Sequence, residues 1–194
     1  MTITDSLIKI ADWLNNGICK EFKFKKPADE GDPMNDKYKY EEVNPHAFPV
    51  FMPAMDKLPP NVKSNTPSII VQIVGGEDDT RQNKRDITIN LAISCWNPGT
   101  HSKDIYYPCI PESPEKYKST YDGWMDVWNF TDAVLRKLES TAHIDGMRVQ
   151  GNITFGPYKE QEIIADYYPF WYSWIRFTAQ SDLIRDCESY RDLL

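Results

Sequence analysis

A chain of 194 residues, 41% apolar and 26% charged, is long enough to bury one substantial core, and its composition excludes wholesale disorder or a collagen-like chain. The formal charge of -7 is spread along the sequence and repels nucleic acid and anionic membranes at long range, so sequence-specific DNA binding is not expected. No stretch approaches the roughly 20 apolar residues of a membrane helix, and MTITDSLIKIADW lacks the basic region and apolar run of an export signal, which points to a soluble intracellular protein.

The first predicted element is an amphipathic helix in which Leu7, Ile8, Ala11, Leu14 and Ile18 recur at helical spacing behind the cap candidates Thr4 and Asp5. Asn15, Asn16 and Gly17 stop it. Phe22 and Phe24 then alternate with Lys23 and Lys25, as in a half-buried strand. From residue 27 to residue 66 the prolines are too dense for a helix or a central strand. This irregular arm carries Phe48, Val50, Phe51, Met52, Met55 and Leu58, which need cover from its own sheet or from a neighbouring subunit.

Two strands follow, Ser68 to Val74 and Asp86 to Cys95, the second alternating apolar and polar residues without a break. GGEDDTRQNKR between them predicts an antiparallel hairpin with a protruding charged loop at a sheet edge. Residues 97–121, rich in proline and tyrosine and including Tyr106 and Tyr107, are expected to be an inserted loop. Asp122 and Gly123 introduce a helix with Trp124, Val127, Trp128, Thr131, Val134, Leu135 and Leu138 on one apolar stripe. Met147 to Phe155 and Phe170 to Gln180, joined by the charged connector KEQEIIAD, complete the set as strands. The expected fold is therefore α+β, a single domain over residues 1–194, with a mostly antiparallel or mixed sheet and two main helices packed on one face.

The search for chemistry finds little. No phosphate-cradling glycine loop, nucleophile elbow or metalloprotease helix occurs. His46, His101 and His143 fall in stretches expected to be loops, with no second ligand at metal spacing, and Cys19, Cys95, Cys109 and Cys187 form no C-x-x-C pair. Those cysteines suit reduced thiols, with a pair of disulfides as the alternative. The acidic triplet Glu77, Asp78 and Asp79 lacks the spaced ligands of a calcium loop. With Arg81, Lys84 and Arg85 close behind, it suits either a solvated tip or a contact with a charged loop of another subunit. The segment Tyr167 to Trp174 is dense in aromatics, and pleating places Phe170, Tyr172 and Trp174 on one face and Trp171, Ile175 and Phe177 on the other. Such a strand lies between a helix layer and the arm, has one face buried by a second chain, or offers a stacking platform to a sugar or nucleobase. No enzyme activity, cofactor or metal is expected.

An ordered set of segments carries a resemblance to a known family. VFMPAMDKLPP stands ahead of PSIIVQIVGGEDD, followed by the strand DITINLAISCW, the helix GWMDVWNFTDAVLRKL and the late strand YYPFWYSWIRFTAQ. With the opening helix they cover about two thirds of the chain, and in this order they resemble the tail terminator, or tail completion, proteins of long-tailed bacteriophages and prophages. The resemblance implies a subunit made in the host bacterial cytoplasm that assembles with itself into a ring, usually a hexamer, at the head-proximal end of the virion tail. There it caps the tail tube protein, stops tube growth and offers a surface to head-tail connector proteins. Another head-tail connector or neck adaptor is the alternative. Both roles need interfaces instead of catalytic groups. The candidate contacts are Phe48, Phe51, Met52 and Leu58 in the arm, Glu77, Asp78, Asp79, Arg81, Lys84 and Arg85 in the hairpin, Tyr106 and Tyr107 in the insertion, and Phe170, Tyr172 and Trp174 in the last strand.

Overall fold

Thr2 opens the first helix, α1 (Ile3–Asn16), in the computed structural model, which describes residues 1–27, 41–101, 117–118 and 122–183. The Thr2 hydroxyl accepts from the Asp5 amide at 3.1 Å while the Asp5 carboxylate accepts from the Thr2 amide at 3.2 Å. This reciprocal box satisfies two amides that a helix end would otherwise orphan. The expected caps Thr4 and Asp5 thus both lie inside the helix, and Asp5 acts from its third position. Leu7, Ile10, Ala11 and Leu14 form the buried stripe, whereas Ile8 falls beside it and is exposed.

The predicted strand at Phe22 to Lys25 shrinks to Phe24–Lys25, which pairs only with Glu42–Val43 in a two-residue antiparallel ladder outside the main sheet. The arm, in turn, is less irregular than its prolines suggest. His46–Pro49 forms β1, parallel to the start of β2 (Ser68–Asp79). His46 N–H donates to Pro67 O and Val50 N–H to Val71 O, so alternate residues face β2 and Pro49 falls where its missing N–H points away. An edge strand tolerates proline in that phase.

The main sheet has six strands. After β1 and β2 come β3 (Lys84–Trp96), β4 (His143–Ile144), β5 (Met147–Pro157) and β6 (Phe170–Asp182). Their spatial order is β1-β2-β3-β6-β5-β4, and every pair except β1 with β2 is antiparallel. The loop expected between Val74 and Asp86 is mostly strand: β2 and β3 run on to Asp79 and Lys84, and the turn is confined to residues 80–83. A bulge between Ile73 and Gly75 shifts the register, so side chains beyond it swap faces. Because β1 covers β2 only at Ser68–Val71, the far half of the hairpin lies at an edge among the described strands, as expected.

Helix α2 (Asp122–Glu139) covers the same face as α1. Val127, Phe130, Thr131, Val134 and Leu138 turn inward, against Ile87, Ile89, Leu91, Ile93 and Cys95 of β3 and Ile175, Phe177 and Ala179 of β6. Each fully buried aliphatic or aromatic side chain contributes roughly 1.5–3 kcal/mol. The buried hydroxyls of Thr131 and Ser173 are matched, with Thr131 Oγ1 2.6 Å from both Val127 O and Ser173 Oγ. The architecture is α+β, as expected, with two helices on one face of a curled mixed sheet.

Two smaller features depart from expectation. The connector KEQEIIAD folds as a hairpin, with Lys159–Glu160 antiparallel to Ile163–Ile164 across a turn in which Gln161 and Glu162 both have positive φ. The insertion is clasped at its base by Thr100–His101 pairing with Tyr117–Lys118, while Tyr106, Tyr107, Cys109 and Cys187 lie outside the described residues.

Candidate functional site

With both helices on one face, the opposite face of the sheet is only partly covered by the described loops. A cleft of about 520 Å³ lies on it, walled by Met52 and by Tyr158, Tyr167, Tyr172 and Trp174. Arg176 sits across its floor, with its guanidinium carbon 5.4 Å from the centre of the Trp174 ring, beside an Asn90 amide that donates to Gln72 at 3.3 Å. Gly156 makes room for Trp174, because a Cβ there would come within 3.0 Å of the indole. The indole N–H donates to Pro157 O at 3.0 Å and fixes the ring.

Chemically the cleft is quiet. Its lining holds no His, Asp, Glu, Lys or Cys side chain, so nothing there can serve as a general base near neutral pH. Two of its phenols are held protonated: a hydrogen bond to Glu160 pushes Tyr167 up to about 12, and burial raises Tyr172. Ser94 Oγ is already paired with Ser68 Oγ at 2.9 Å. No known family model matches the chain, and no curated protein matches it significantly.

A second polar cluster lies at the root of the insertion. Lys25 Nζ donates to Asn97 Oδ1 at 3.0 Å and to Gly99 O at 2.7 Å, while Asn97 Nδ2 donates to Asp126 Oδ2 at 2.7 Å. Trp171 Nε1 donates to Asn97 O at 3.2 Å. Burial lowers Lys25, with Asp126 acting against the shift, and burial raises Asp126, opposed by the Asn97 hydrogen bond and the Lys25 charge. The cluster ties the Phe24–Lys25 ladder, α2 and β6 to the start of the insertion, a structural task. Removing the donor in Asn97→Ala should raise the Asp126 midpoint further, and carboxyl NMR titration will read it. The native Asp126 titrates above 3.8, so its contribution to stability is complete below that pH and is lost as pH rises through its raised midpoint. Asp78 and Asp182, held below 3.8 by their bonds to Arg85 and Lys84, have the opposite sign: their contribution is lost as pH falls through their lowered midpoints.

The proposed contact residues divide sharply. Phe48 is only 4% exposed and packs against the tilted ring of His46 with ring centres 4.7 Å apart; it is enclosed by its own chain, which leaves it little surface for another subunit. Phe51, two residues beyond β1, is 68% exposed. Its amide donates to Pro49 O at 2.9 Å across Val50, whose φ is 70°. This three-residue turn of unfavourable hand is costly for a β-branched residue, on the order of 1–3 kcal/mol. Met52 and Leu58 are half-buried. Glu77, Asp78, Asp79 and Arg81 are exposed, whereas Arg85 is locked to Asp78 by two 2.7 Å bonds and Lys84 to Asp182 at 2.5 Å. Phe170 and Trp174 are half-buried and Tyr172 is exposed on the cleft side, while Ile175 and Phe177 face the helices.

Some surfaces are unexpected. Trp124, placed by periodicity on the inward stripe of α2, is 54% exposed, whereas Phe130 is fully buried. Trp124 meets Trp128 edge-on, Trp128 meets Phe155, and with Met125 they leave an apolar patch beside β5. Ile163 and Ile164 are exposed on the connector hairpin. The histidines expected in loops lie in strands, and burial lowers His46 so that it is neutral at pH 7. Cys19 and Cys95 are buried with thiols raised by burial, Cys19 to about 12, and so are unreactive. Among the described residues no three His, Cys, Asp or Glu side chains converge as metal ligands, and no helix is long and apolar enough to cross a membrane.

Proposed function

We propose that this chain is a virion assembly protein of the tail terminator kind, a subunit that joins copies of itself into a ring, caps the tail tube and presents a surface for head joining. The ordered segments resembling that family support the reading, as does a cleft without acid-base groups. The observation that carries it is Phe51, held out by a strained turn with most of its ring in water. A lone subunit gains nothing from that arrangement, while an aromatic anchor buried by a partner is a common centre of binding energy. Trp124, Met125, Phe155, Ile163 and Ile164 add apolar surface at other points of the rim, as a subunit with neighbours on more than one side requires.

The test is direct. Light scattering on a sizing column should show a ring of about six copies, in keeping with the closed symmetry of most oligomers, and the ring should shorten tubes when added to polymerising tail tube protein. Phe51→Asp should leave the circular dichroism spectrum unchanged, because the side chain is already largely solvated in the subunit, yet weaken assembly by about 2 kcal/mol or more, thirtyfold in affinity. A monomer at every concentration would refute the ring, and a ring that leaves tube growth unaffected would move the chain to a connector or neck role.

A further inference from the structure

Both edges of the main sheet are incomplete, and the two gaps match. On one side β1 pairs only with the first residues of β2, at Ser68–Val71, with one further bond from Val50, so the outer side of Gln72–Asp79 has no described strand against it. On the other side β4 pairs with Met147 and Arg148, and Val149 N–H donates to Ala142 O. The outer side of residues 150–157 is likewise uncovered by any described strand. Open strand edges of this length are templates for another chain.

The chemistry along the edges selects the partner and the direction. Going along β2, exposed Ile73 and Val74 come first and Glu77, Asp78 and Asp79 follow. Going backwards along β5, exposed Phe155 comes first, then polar Asn152 and Gln150, then Arg148. Laid antiparallel, apolar Ile73 and Val74 meet Phe155, Glu77 falls opposite Asn152, and Asp79, opposite Gln150, comes diagonal to Arg148, which is exposed and makes no ion pair with any described residue. The faces agree as well: Ile73 pairs with Ile89 and Phe155 with Ile175, both on the helix side, while Glu77 pairs with Asp86 and Arg148 with Gln180, both on the cleft side. A two-fold pairing of β2 with itself would set Ile73 and Val74 against the acids. Between these edges the strands β2, β3, β6 and β5 alternate in direction, so the edges of two copies in the same orientation run antiparallel, with the hydrogen-bond pattern that needs no slant.

We infer that Gln72–Asp79 of one copy adds as an antiparallel strand to residues 150–157 of the next, continuing the sheet from subunit to subunit by a head-to-tail contact. This rests on the ring-forming reading above and names the surfaces that form the ring. A contact between two different edges of one chain repeats around an axis and closes as a ring when its rotation divides a full turn, or runs on as a filament when it does not, whereas a two-fold contact stops at a dimer.

Charge exchange tests it in the full chain. Arg148→Glu and Asp79→Arg each change an exposed side chain and should each raise the concentration for half-assembly at least about tenfold, measured by light scattering at low salt, with circular dichroism checking that the turn at residues 80–83 survives the loss of the Asp79 bonds to the Arg81 and Gln82 amides. The double variant Arg148→Glu, Asp79→Arg should recover most of that loss, which a purely structural role would not produce. Normal assembly of both single variants, or a double variant as impaired as the two losses combined, would overturn the strand pairing while leaving the ring reading in place. A wild-type protein that stays monomeric would overturn both.

Discussion

Gly123→Ala should lower the thermal midpoint by roughly 6–12 °C, the consequence of about 3 kcal/mol of overpacking in a chain of this size. A Cβ at Gly123 would stand 2.1 Å from Trp171 Nε1, 2.3 Å from its Cδ1 and 2.9 Å from Asn97 Cβ. Neither neighbour can yield easily. The Trp171 indole is tied to Asn97 O, and Asn97 is held by both Lys25 and Asp126. Alanine would otherwise be the better helix former by about 1 kcal/mol, so propensity alone predicts the opposite sign. Gly75 serves as the control, since nothing lies within 4 Å of its Cβ position. Gly75→Ala should leave the midpoint nearly unchanged. Equal midpoints for the two variants in differential scanning calorimetry would show that α2 does not approach β6 this closely.

Phe130→Ala should cost about 3–5 kcal/mol, the usual range for deleting a buried aromatic ring. Phe130 is fully buried on α2, with ring centres 5.5 Å from Phe22 and 5.1 Å from Phe24. It joins the second helix to the short Phe24–Lys25 ladder as well as to the sheet, so the cavity opens between three elements that cannot collapse together. Denaturant unfolding should show a lower midpoint concentration with an unchanged slope. Trp124→Ala, six residues earlier on a solvated face, should lose far less. A larger loss at Trp124 would mean that the original reading of the stripe, with Trp124 inside, was right.

These two sites also show where sequence patterns succeed. The unbroken alternation from Asp86 to Cys95 predicted β3 and its inward face correctly, because a strand with one buried face must repeat every two residues. Helix α2 was equally legible as an element, and Val127, Thr131, Val134 and Leu138 of its predicted stripe are buried, but the buried face is centred further toward Phe130, so Trp124 is exposed and Trp128 and Leu135 are half-buried. In the arm, proline density concealed β1, since the sequence does not show that Pro49 falls in the phase facing away from β2. Of the proposed contacts, Phe48 and Phe51 were indistinguishable in the sequence, three positions apart in one apolar run. The structure buries the first within the sheet and exposes the second.

What the sequence by itself determined is the class of the molecule: two amphipathic helices and a predominantly antiparallel sheet. Those properties are local, set by periodicities of two and 3.6 and by residue types at short spacing. Only the tertiary structure decided which apolar residues were left over. Which face of the sheet the helices covered, where β1 and β4 stopped short of the ends of β2 and β5, and how Val50 turned Phe51 outward all depend on pairings between residues far apart in the chain. Burial is a property of those pairings, so the surfaces available to another subunit emerged only once the chain had satisfied its own.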